Sequence, residues 1–190
     1  MTSIVRPTLV IFTALTVLTG ALYPLAVTGA AQLAFSDKAA GSLVERGGKP
    51  VGSSLIGQSF SDPGHFWGRP SATSPMAYNA QASSGSNQGP LNPALAEAVK
   101  GRIEALRAAD PGNTAPVPVD LVTASASGLD PDISVAAARY QVARIAKARN
   151  LPAAAVTNLV DSMARSPVMG WFGEPRVNVL AINLALDSVK

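Results

Sequence analysis

The side chains that could do chemistry are few in this sequence, and most lie far apart. His65 is the one histidine, and the chain has no cysteine, so a cysteine nucleophile, a disulfide and a cysteine-based zinc site are excluded. A serine hydrolase would need His65 as its base, yet no GxSxG motif is present to expose a nucleophilic serine. His65 lies in a turn-like polar and aromatic patch, residues 62–67, and this setting favours a structural or surface role.

The acidic residues offer one close pair, Asp130 and Asp132, that could share acid and base roles. The neighbouring Gly128 and Pro131 instead favour a turn that leads into a helix, where acids oppose the positive end of the helix dipole. The sequence has no P-loop motif, and its carboxylates are not spaced as a calcium loop requires. We therefore predict no catalytic residue, no metal ligand and no resident cofactor.

A serine- and glycine-rich run at residues 83–89 could present backbone N–H groups to a phosphate. No lysine or arginine adjoins this run, so a hydrogen-bonded loop is the favoured interpretation. The net charge is +3, and the basic residues are scattered singly along the chain. This pattern excludes the clustered basic face that nucleic-acid binding requires.

A long uncharged segment near the N-terminus predicts a membrane anchor. Residues 7–36 contain no charged residue and no histidine over 30 positions, whereas a spanning helix needs only ~20. A cleaved secretory signal is the competing interpretation, since small residues at 28–31 could be cut, but its apolar core would be only ~7–15 residues long. We therefore expect a short cytoplasmic tail at 1–7, a transmembrane helix at 8–35 and one domain at 36–190.

Two features of the anchor concern its neighbours and its orientation. Thr16 and Gly20 are small residues four positions apart, a spacing that lets another helix approach closely. The tail carries only Arg6, whereas three basic residues follow the helix before residue 50. The positive-inside rule therefore does not settle the orientation.

The region after the anchor predicts an α+β domain with few strands and about three helices. Asn92 can cap a helix that begins at Pro93. Ser134, or Asp132 before it, can cap a second helix that ends near Asn150. A third helix follows a Leu-Pro pair, where apolar residues recur with a period of about 3.6 residues.

Two strands are predicted in the same domain. Residues 117–123 form a short β-type run, although a proline confines it to an edge or a strand start. Residues 176–184 are apolar on both faces apart from Asn178 and Asn183. This pattern predicts a buried closing strand.

The segment with the most unusual composition is residues 62–93. It holds five prolines and four glycines, and its only charged residues are Asp62 and Arg69. Structureless segments longer than ~12–15 residues are uncommon in compact domains unless they have a function. We therefore predict a long functional loop here.

Several motifs occur in a fixed order along the chain. They are Phe-Trp-Gly-Arg-Pro-Ser-Ala at 66–72, Tyr-Asn at 78–79, Ser-Gly-Ser-Asn at 84–87, Asp-Leu-Val-Thr-Ala-Ser-Ala-Ser-Gly-Leu-Asp-Pro at 120–131, Gly-Glu-Pro-Arg-Val-Asn-Val-Leu at 173–180 and Asn-Leu-Ala-Leu-Asp at 183–187. Together with the N-terminal apolar segment, they resemble the C subunit (KdpC) family of the bacterial Kdp-type potassium-transporting ATPases.

The resemblance implies an accessory, non-catalytic subunit of a four-part, high-affinity potassium pump. In that family a separate channel-like subunit carries potassium and a separate P-type subunit hydrolyses ATP. A small single-helix subunit and membrane lipid are further partners that it implies. The C subunit is anchored in the bacterial inner membrane by one helix, with its N-terminus inside and its domain outside against the channel-like subunit.

Under this hypothesis the helix packs on the channel-like subunit, and the loop docks on its outer face. The low charge of the loop suits burial, since few charges must be desolvated when a partner binds. The candidate contact residues are Thr16, Gly20, Phe66, Trp67, Arg69, Tyr78, Asn79, Asn87 and Asn92.

Two alternatives stay open. The first is a catalytic chaperone that increases ATP binding by the pump, which needs a cytoplasmic domain. The second is a membrane-anchored extracytoplasmic hydrolase or binding protein, which would require His65 in a cleft beside a serine and an acid. The candidate nucleotide contacts under the first alternative are Ser84, Gly85, Ser86, Asn87 and Gln141.

Overall fold

The computed structural model describes residues 2–189, with side chains from residue 4 onward. The chain forms two compact units, one ending at Val44 and one beginning at Glu45. The first unit contains the predicted anchor, and the second contains the predicted α+β domain.

The first unit is built on one long apolar helix. It consists of α1 (Thr2–Val17), a π-helical turn (Leu18–Leu22) and α2 (Tyr23–Ala34). The stretch Ile4–Ala34 has 31 residues with a mean hydropathy of 2.0, and no part of its most apolar window is buried. The helix is therefore long and apolar enough to cross a membrane, and it already includes residues that the sequence predicts as a tail.

The π-helical turn lies directly before a proline. The Tyr23 N–H donates to the carbonyl of Leu18, five residues back and not four. Pro24 has no N–H, and its ring would crowd the carbonyl four residues earlier in a regular α-helix. The wider turn makes room for the ring, so the helix continues past Pro24.

A short helix and a hairpin follow. The helix is α3 (Ser36–Ala39), and the strands β1 (Leu43–Arg46) and β2 (Lys49–Ser53) pair with each other. Gly47 and Gly48 connect the strands with φ angles of +61° and +74°. Two positive φ angles are what a tight two-residue hairpin turn requires.

The second unit combines five helices with a second small sheet in the described part of the chain. The helices are α4 (Pro93–Ala109), α5 (Val135–Tyr140), α6 (Val142–Arg149), α7 (Ala153–Met163) and α8 (Val179–Leu186). The strands β3 (Asp132–Ser134) and β4 (Arg176–Asn178) pair antiparallel, with Ile133 opposite Val177. Both of these residues belong to the core, as do Phe66, Ile145, Val156, Val160, Ile182 and Leu186.

The α+β class is confirmed, and so are the helix ends that depend on local signals. The Asn92 side chain accepts from the Ala94 N–H at 3.0 Å at the start of α4. Ser134 accepts from the Ala137 N–H at 3.0 Å at the start of α5. Asn150 ends α6 in the left-handed conformation, with φ +54°, a position that asparagine tolerates.

Two predicted strands are wrong in large part. Residues 176–184 form a strand only as far as Asn178, whose side chain then caps α8 by accepting from the Ala181 N–H at 3.0 Å. A short helix that is buried on nearly all sides has the same apolar pattern as a buried strand, so periodicity does not separate the two. Residues 117–123 contain a 3₁₀ turn at Val119–Leu121 in place of a strand.

Candidate partner-binding surface

A long segment without strands connects β2 to α4, and its one helical element is a 3₁₀ turn at Ala80–Ala82. The predicted loop at 62–93 makes up most of this segment, which begins at residue 54. After Arg69 it carries no charged residue before Glu97. Side chains and backbone groups of the core hold the loop at three successive places.

The first place is residues 62–67, where every backbone carbonyl accepts a hydrogen bond. The carbonyls and their donors are Asp62 with the Trp67 indole, Pro63 and His65 with Arg144, Gly64 with Arg149, Phe66 with Asn183, and Trp67 with Gln141. Four of the donors come from α6, α8 and the residue between α5 and α6, so these elements fix the path of the loop.

Two buried side-chain amides provide the most regular of these contacts. Asn183 accepts from the Phe66 N–H at 2.8 Å and donates to the Phe66 carbonyl at 3.0 Å. Gln141 accepts from the Trp67 N–H at 2.8 Å and donates to the Trp67 carbonyl at 3.1 Å. Each amide thus bonds to both the N–H and the carbonyl of one residue, as a residue of an antiparallel strand would, although the loop forms no sheet there.

Arg144 links this part of the loop to the core. Its side chain donates to the Pro63 carbonyl, to the His65 carbonyl at 3.0 Å and to Oε1 of Gln141 at 2.6 Å. Its guanidinium also lies 4.3 Å from the centre of the Trp67 ring, within the range of a cation–π contact. Burial lowers the pKa of Arg144 to about 10, so the group stays charged at neutral pH.

At the second place, the side-chain hydroxyl of Ser71 holds the loop. Oγ of Ser71 donates to the Gly128 carbonyl at 2.7 Å and accepts from the Tyr78 N–H at 2.9 Å. The Tyr78 hydroxyl donates to the Arg69 carbonyl at 2.6 Å, and burial, with the nearby charge of Asp130, raises the pKa of Tyr78. These bonds close the loop on itself and on residue 128.

Residue 128 must be a glycine, because the loop passes close to its backbone. Its φ is +68°, and a Cβ there would lie 2.6 Å from Cγ2 of Thr73 and 2.8 Å from the carbonyl of Ser84. Both the conformation and the space therefore exclude other side chains without strain.

The acid pair of the sequence analysis lies beside this second place. Asp130 accepts from the Asp132 N–H at 3.0 Å and lies 3.2 Å from Arg69. Asp132 lies 2.9 Å from Nε of Arg176 and also accepts from the amide of Asn178. The two carboxylates hold a turn, as predicted, but Asp132 belongs to β3 and binds β4 in place of the predicted helix start.

The third place is residues 83–85. The Ser84 N–H and the Ser83 hydroxyl both donate to the Ser127 carbonyl, each at 3.0 Å. A Cβ on Gly85 would lie 2.9 Å from the carbonyl of Ala126. The loop therefore runs in close contact with residues 126–127.

The candidate nucleotide contacts do not lie together in one site. Ser84, Gly85, Ser86 and Asn87 belong to the third place or directly follow it, and Ser86 and Asn87 are exposed. Gln141 is only 1% exposed, and both ends of its amide are bonded to Trp67, Ala137 and Arg144. Within residues 2–189 there is also no cluster of three or more His, Asp or Glu side chains that could hold a metal.

The candidate partner contacts differ in accessibility. Phe66 is completely buried, so its side chain packs the core and presents no surface to a partner. Trp67, Arg69, Tyr78 and Asn79 are half-buried and support the loop from within. The exposed candidates are Thr16, Gly20, Asn87 and Asn92.

A charged cluster borders the first place. Nδ1 of His65 lies 3.3 Å from Asp62, and its Nε2 lies 2.7 Å from Arg149 and 3.2 Å from Asp187. Asp187 also accepts from Arg46 at 2.7 Å. Both ring nitrogens of His65 are thus engaged with charged groups and not with a serine, which agrees with the predicted structural role.

Because of this cluster, the free energy of unfolding depends on pH in the acid range. Partial burial pushes the pKa of Asp187 up, but hydrogen bonds from Arg149, Arg46 and His65 outweigh it and hold the pKa at about 2. Since the unfolded carboxyl has a pKa of about 3.9, the unfolded state binds more protons between these values. The stabilisation from Asp187 is therefore present above about pH 4 and is lost as the pH falls towards 2.

We expect Asp187→Asn to lower stability at pH 7 and to flatten the loss of stability between pH 5 and pH 2. Urea unfolding of the full chain at a series of pH values measures both effects. Asp161→Asn is the matched control, because it removes only the exposed pair with Arg139. Equal pH profiles for the wild type and Asp187→Asn would contradict the prediction.

Sequence reasoning missed the side chains that hold the loop, above all Arg144, Arg149 and Asn183. The signal that could have found Asn183 is its polar amide within an otherwise apolar stretch, because a buried amide needs partners. The two arginines lie on the face of α6 that meets the loop, and their spacing alone does not distinguish them from solvated charges.

The chain is similar over its whole length to known proteins. Residues 5–188 match the family model described as KdpC, the K+-transporting ATPase, c chain. A potassium-transporting ATPase KdpC subunit of Variovorax paradoxus is 70% identical over 188 residues, which cover 99% of this chain and 97% of that protein. The proteins of the same name from Polaromonas naphthalenivorans and Herminiimonas arsenicoxydans are 70% and 66% identical, over 100% and 98% of this chain and 97% and 98% of their own lengths.

Proposed function

The chain belongs to the KdpC family, the c chains of K+-transporting ATPases, and on this premise we propose that it is a non-catalytic accessory subunit that stabilises or assembles the pump. It is a subunit of a potassium-transporting P-type ATPase complex of the bacterial membrane, and it associates with the membrane through one N-terminal apolar helix. The proposal adds that it packs on the channel-like, potassium-translocating subunit.

One observation carries this proposal: the long loop is held by many hydrogen bonds although it contains almost no charge. Five of the six carbonyls of residues 62–67 are bonded to residues outside the loop, and no charged residue lies between Arg69 and Glu97. A rigid, uncharged surface loses little conformational entropy and desolvates no charge when a partner covers it. Both properties favour stable docking and are not needed by a solvated surface loop.

The apolar helix supplies the second proposed contact. Thr16 and Gly20 are exposed on it, and a Cβ on Gly20 would meet nothing within 4 Å. Small residues at this spacing let a neighbouring helix approach closely in the bilayer. We assign this face to the channel-like subunit, with the ATP-hydrolysing subunit and a small single-helix subunit as further members of the complex.

The proposed topology has residues 1–7 inside the cell, residues 8–35 in the inner membrane and residues 36–190 outside. Protease treatment of intact spheroplasts, combined with purification through a C-terminal tag, tests it. We expect the protease to cleave the domain in intact spheroplasts. We also expect the tagged chain to co-purify with the channel-like subunit. A protected domain would reverse the topology, and a cleavable domain that purifies alone would contradict the accessory role.

The geometry gives no support to a nucleotide chaperone or a hydrolase. The chaperone alternative needs Gln141 to be accessible, whereas its amide is buried and fully bonded. The hydrolase alternative needs a serine beside His65, whereas its ring nitrogens face Asp62, Arg149 and Asp187. Each alternative would therefore require the first place of the loop to rearrange.

A charge placed on the exposed part of the loop tests the docking surface. Met76 is 64% exposed, so Met76→Asp leaves the core intact but adds a charge that must be desolvated on docking. We expect clearly reduced recovery of the channel-like subunit with the tagged chain, at unchanged unfolding stability.

The matched control is Val119→Asp, a residue that is 71% exposed and lies outside the loop. It adds the same charge to a different part of the surface, so we expect wild-type recovery of the partner. If the two variants recover the partner equally well, the loop is not the docking surface.

A further inference from the structure

A small apolar hairpin projects from the second unit between α7 and β4. Residues 166–173 contain no charged residue. Its large apolar side chains are mostly exposed: Val168 57%, Met169 82%, Trp171 71% and Phe172 56%. The rings of Trp171 and Phe172 stack with their centres 4.0 Å apart. We call residues 166–173 the aromatic tip.

The aromatic tip has a defined backbone. Val168 and Phe172 exchange two backbone hydrogen bonds, at 3.0 and 2.9 Å, and the Gly170 N–H donates to the Pro167 carbonyl at 3.0 Å. Arg165 and Arg176 exchange two more at its base, at 2.8 and 3.2 Å. The apolar side chains are therefore held outward by the fold, and the hairpin satisfies several of its own polar groups.

The aromatic tip is better suited to an apolar environment than to water. A contiguous exposed apolar patch on a domain marks an interaction site. Backbone groups that are bonded within the hairpin can enter a medium of low polarity without losing partners. Tryptophan prefers the boundary between lipid headgroups and acyl chains, where its ring is in contact with hydrocarbon and its N–H with polar groups.

We infer that the aromatic tip inserts into the headgroup boundary of the bilayer that holds the N-terminal helix, as a second membrane contact of this chain. The tether permits it: α2 ends at Ala34 and the second unit begins at Glu45. Four of the residues between them form α3 and rise only about 6 Å, and the other six span at most about 22 Å. A domain of this size has a radius of gyration of about 15 Å. The tether is longer than this radius, so it does not restrict the domain to one single face against the lipid.

The features of the tip favour lipid over a protein partner. A specific protein interface involves about 20–30 residues on each side, whereas this patch consists of four side chains on one projecting hairpin. The exposed residues that flank the tip, Arg165 and Glu174, carry opposite charges, so the preference for lipid comes from the apolar side chains and not from charge. The inference rests on the membrane association of the chain and not on its contact with a particular subunit.

Tryptophan fluorescence tests the insertion in the full chain. The protein has two tryptophans, and Trp67 is half-buried beneath Arg144. The difference between the wild type and Trp171→Phe therefore reports on Trp171 alone. Both proteins are reconstituted in vesicles as the purified complex, with and without lipids brominated on their acyl chains.

We expect brominated lipid to remove most of the Trp171 emission, while aqueous iodide removes little of it. Quenching by iodide and not by brominated lipid would overturn the inference, because it would place Trp171 in water. Protection from both quenchers would overturn it in favour of a protein contact. If no complex can be purified, the proposed function fails, and the same measurement on the full chain alone in vesicles still decides the inference.

Two further variants locate the contact. In the Trp171→Phe background, Met169→Trp places the probe elsewhere on the tip, and we expect brominated lipid to quench it. Leu91→Trp is the matched control, because Leu91 is 96% exposed but lies in the long loop. Equal quenching at both positions would contradict a contact that is specific to the tip.

Discussion

Replacement of Arg144 by alanine is expected to lower the free energy of unfolding by about 3 kcal/mol or more. The substitution removes hydrogen bonds to the part-buried Pro63 and His65 carbonyls and to the buried Oε1 of Gln141, and a hydrogen bond to a charged group contributes about 1.5–3 kcal/mol. It also removes the guanidinium from the face of Trp67, a contact worth up to about 2 kcal/mol when it is desolvated. A loss of this size is a large part of the stability of a single domain.

Urea unfolding of the full chain in detergent, followed by tryptophan fluorescence, measures the effect. Trp67 lies next to the altered residue, so its emission reports directly on release of the loop. Arg144→Met keeps most of the side-chain volume, and we expect nearly the same loss because the hydrogen bonds are still missing.

The control residue lies in α5, one helix before Arg144. Arg139 is an exposed residue that pairs with Asp161 at 2.9 Å, and exposed pairs contribute about 0–1 kcal/mol. Arg139→Ala should therefore change stability by less than about 1 kcal/mol. If the two alanine variants were equally stable, Arg144 would not hold the loop.

The features that the sequence predicts correctly depend on local interactions. Asn92, Ser134 and Asn150 bound helices through bonds or dihedral angles within a few residues, so their types and positions are enough. The anchor helix follows from the length of one uncharged run. The prolines, glycines and lack of charge indicate where most of the long loop lies, but the segment between β2 and α4 begins at residue 54, before the predicted start.

The contacts that hold the loop depend on residues far apart in the chain. Asn183 is 117 residues from Phe66, Gln141 is 74 residues from Trp67, and Arg144 is 79 residues from His65. No local periodicity encodes such pairs. The same limit explains α8, because an apolar run of eight residues predicts burial but does not choose between helix and strand.

The exposed positions of the candidate site were also harder to predict than its buried ones. Phe66 is expected at a partner surface because of its motif, but it fills the core, and the exposed aromatic residues in the described part of the second unit lie at 171 and 172. That a loop residue belongs to a motif does not show whether its side chain points into the core or towards solvent. Only the path of the loop, fixed by the distant contacts, decides which side chains face outward.

A second large effect is expected from a charge in the middle of the anchor. Leu15 lies near the middle of the apolar stretch, and its side chain is 53% exposed on the helix surface, where lipid or a neighbouring helix would surround it. An arginine at the centre of a spanning helix costs about 2.5–3.5 kcal/mol on the insertion scale, and the favourable contribution of leucine is lost as well. We expect Leu15→Arg to reduce strongly the fraction of the chain in membranes and to remove it from the purified complex.

The position of the charge, and not its presence, should decide the result. Leu33 is 92% exposed near the end of α2, where an arginine side chain can extend to the headgroups and the cost falls. Leu33→Arg is therefore expected to stay in the membrane fraction after alkaline extraction, whereas Leu15→Arg is released or degraded. Retention of Leu15→Arg in membranes at the wild-type level would show that this helix does not need to cross the bilayer. The chain would then be held in the complex by the contacts of its second unit alone.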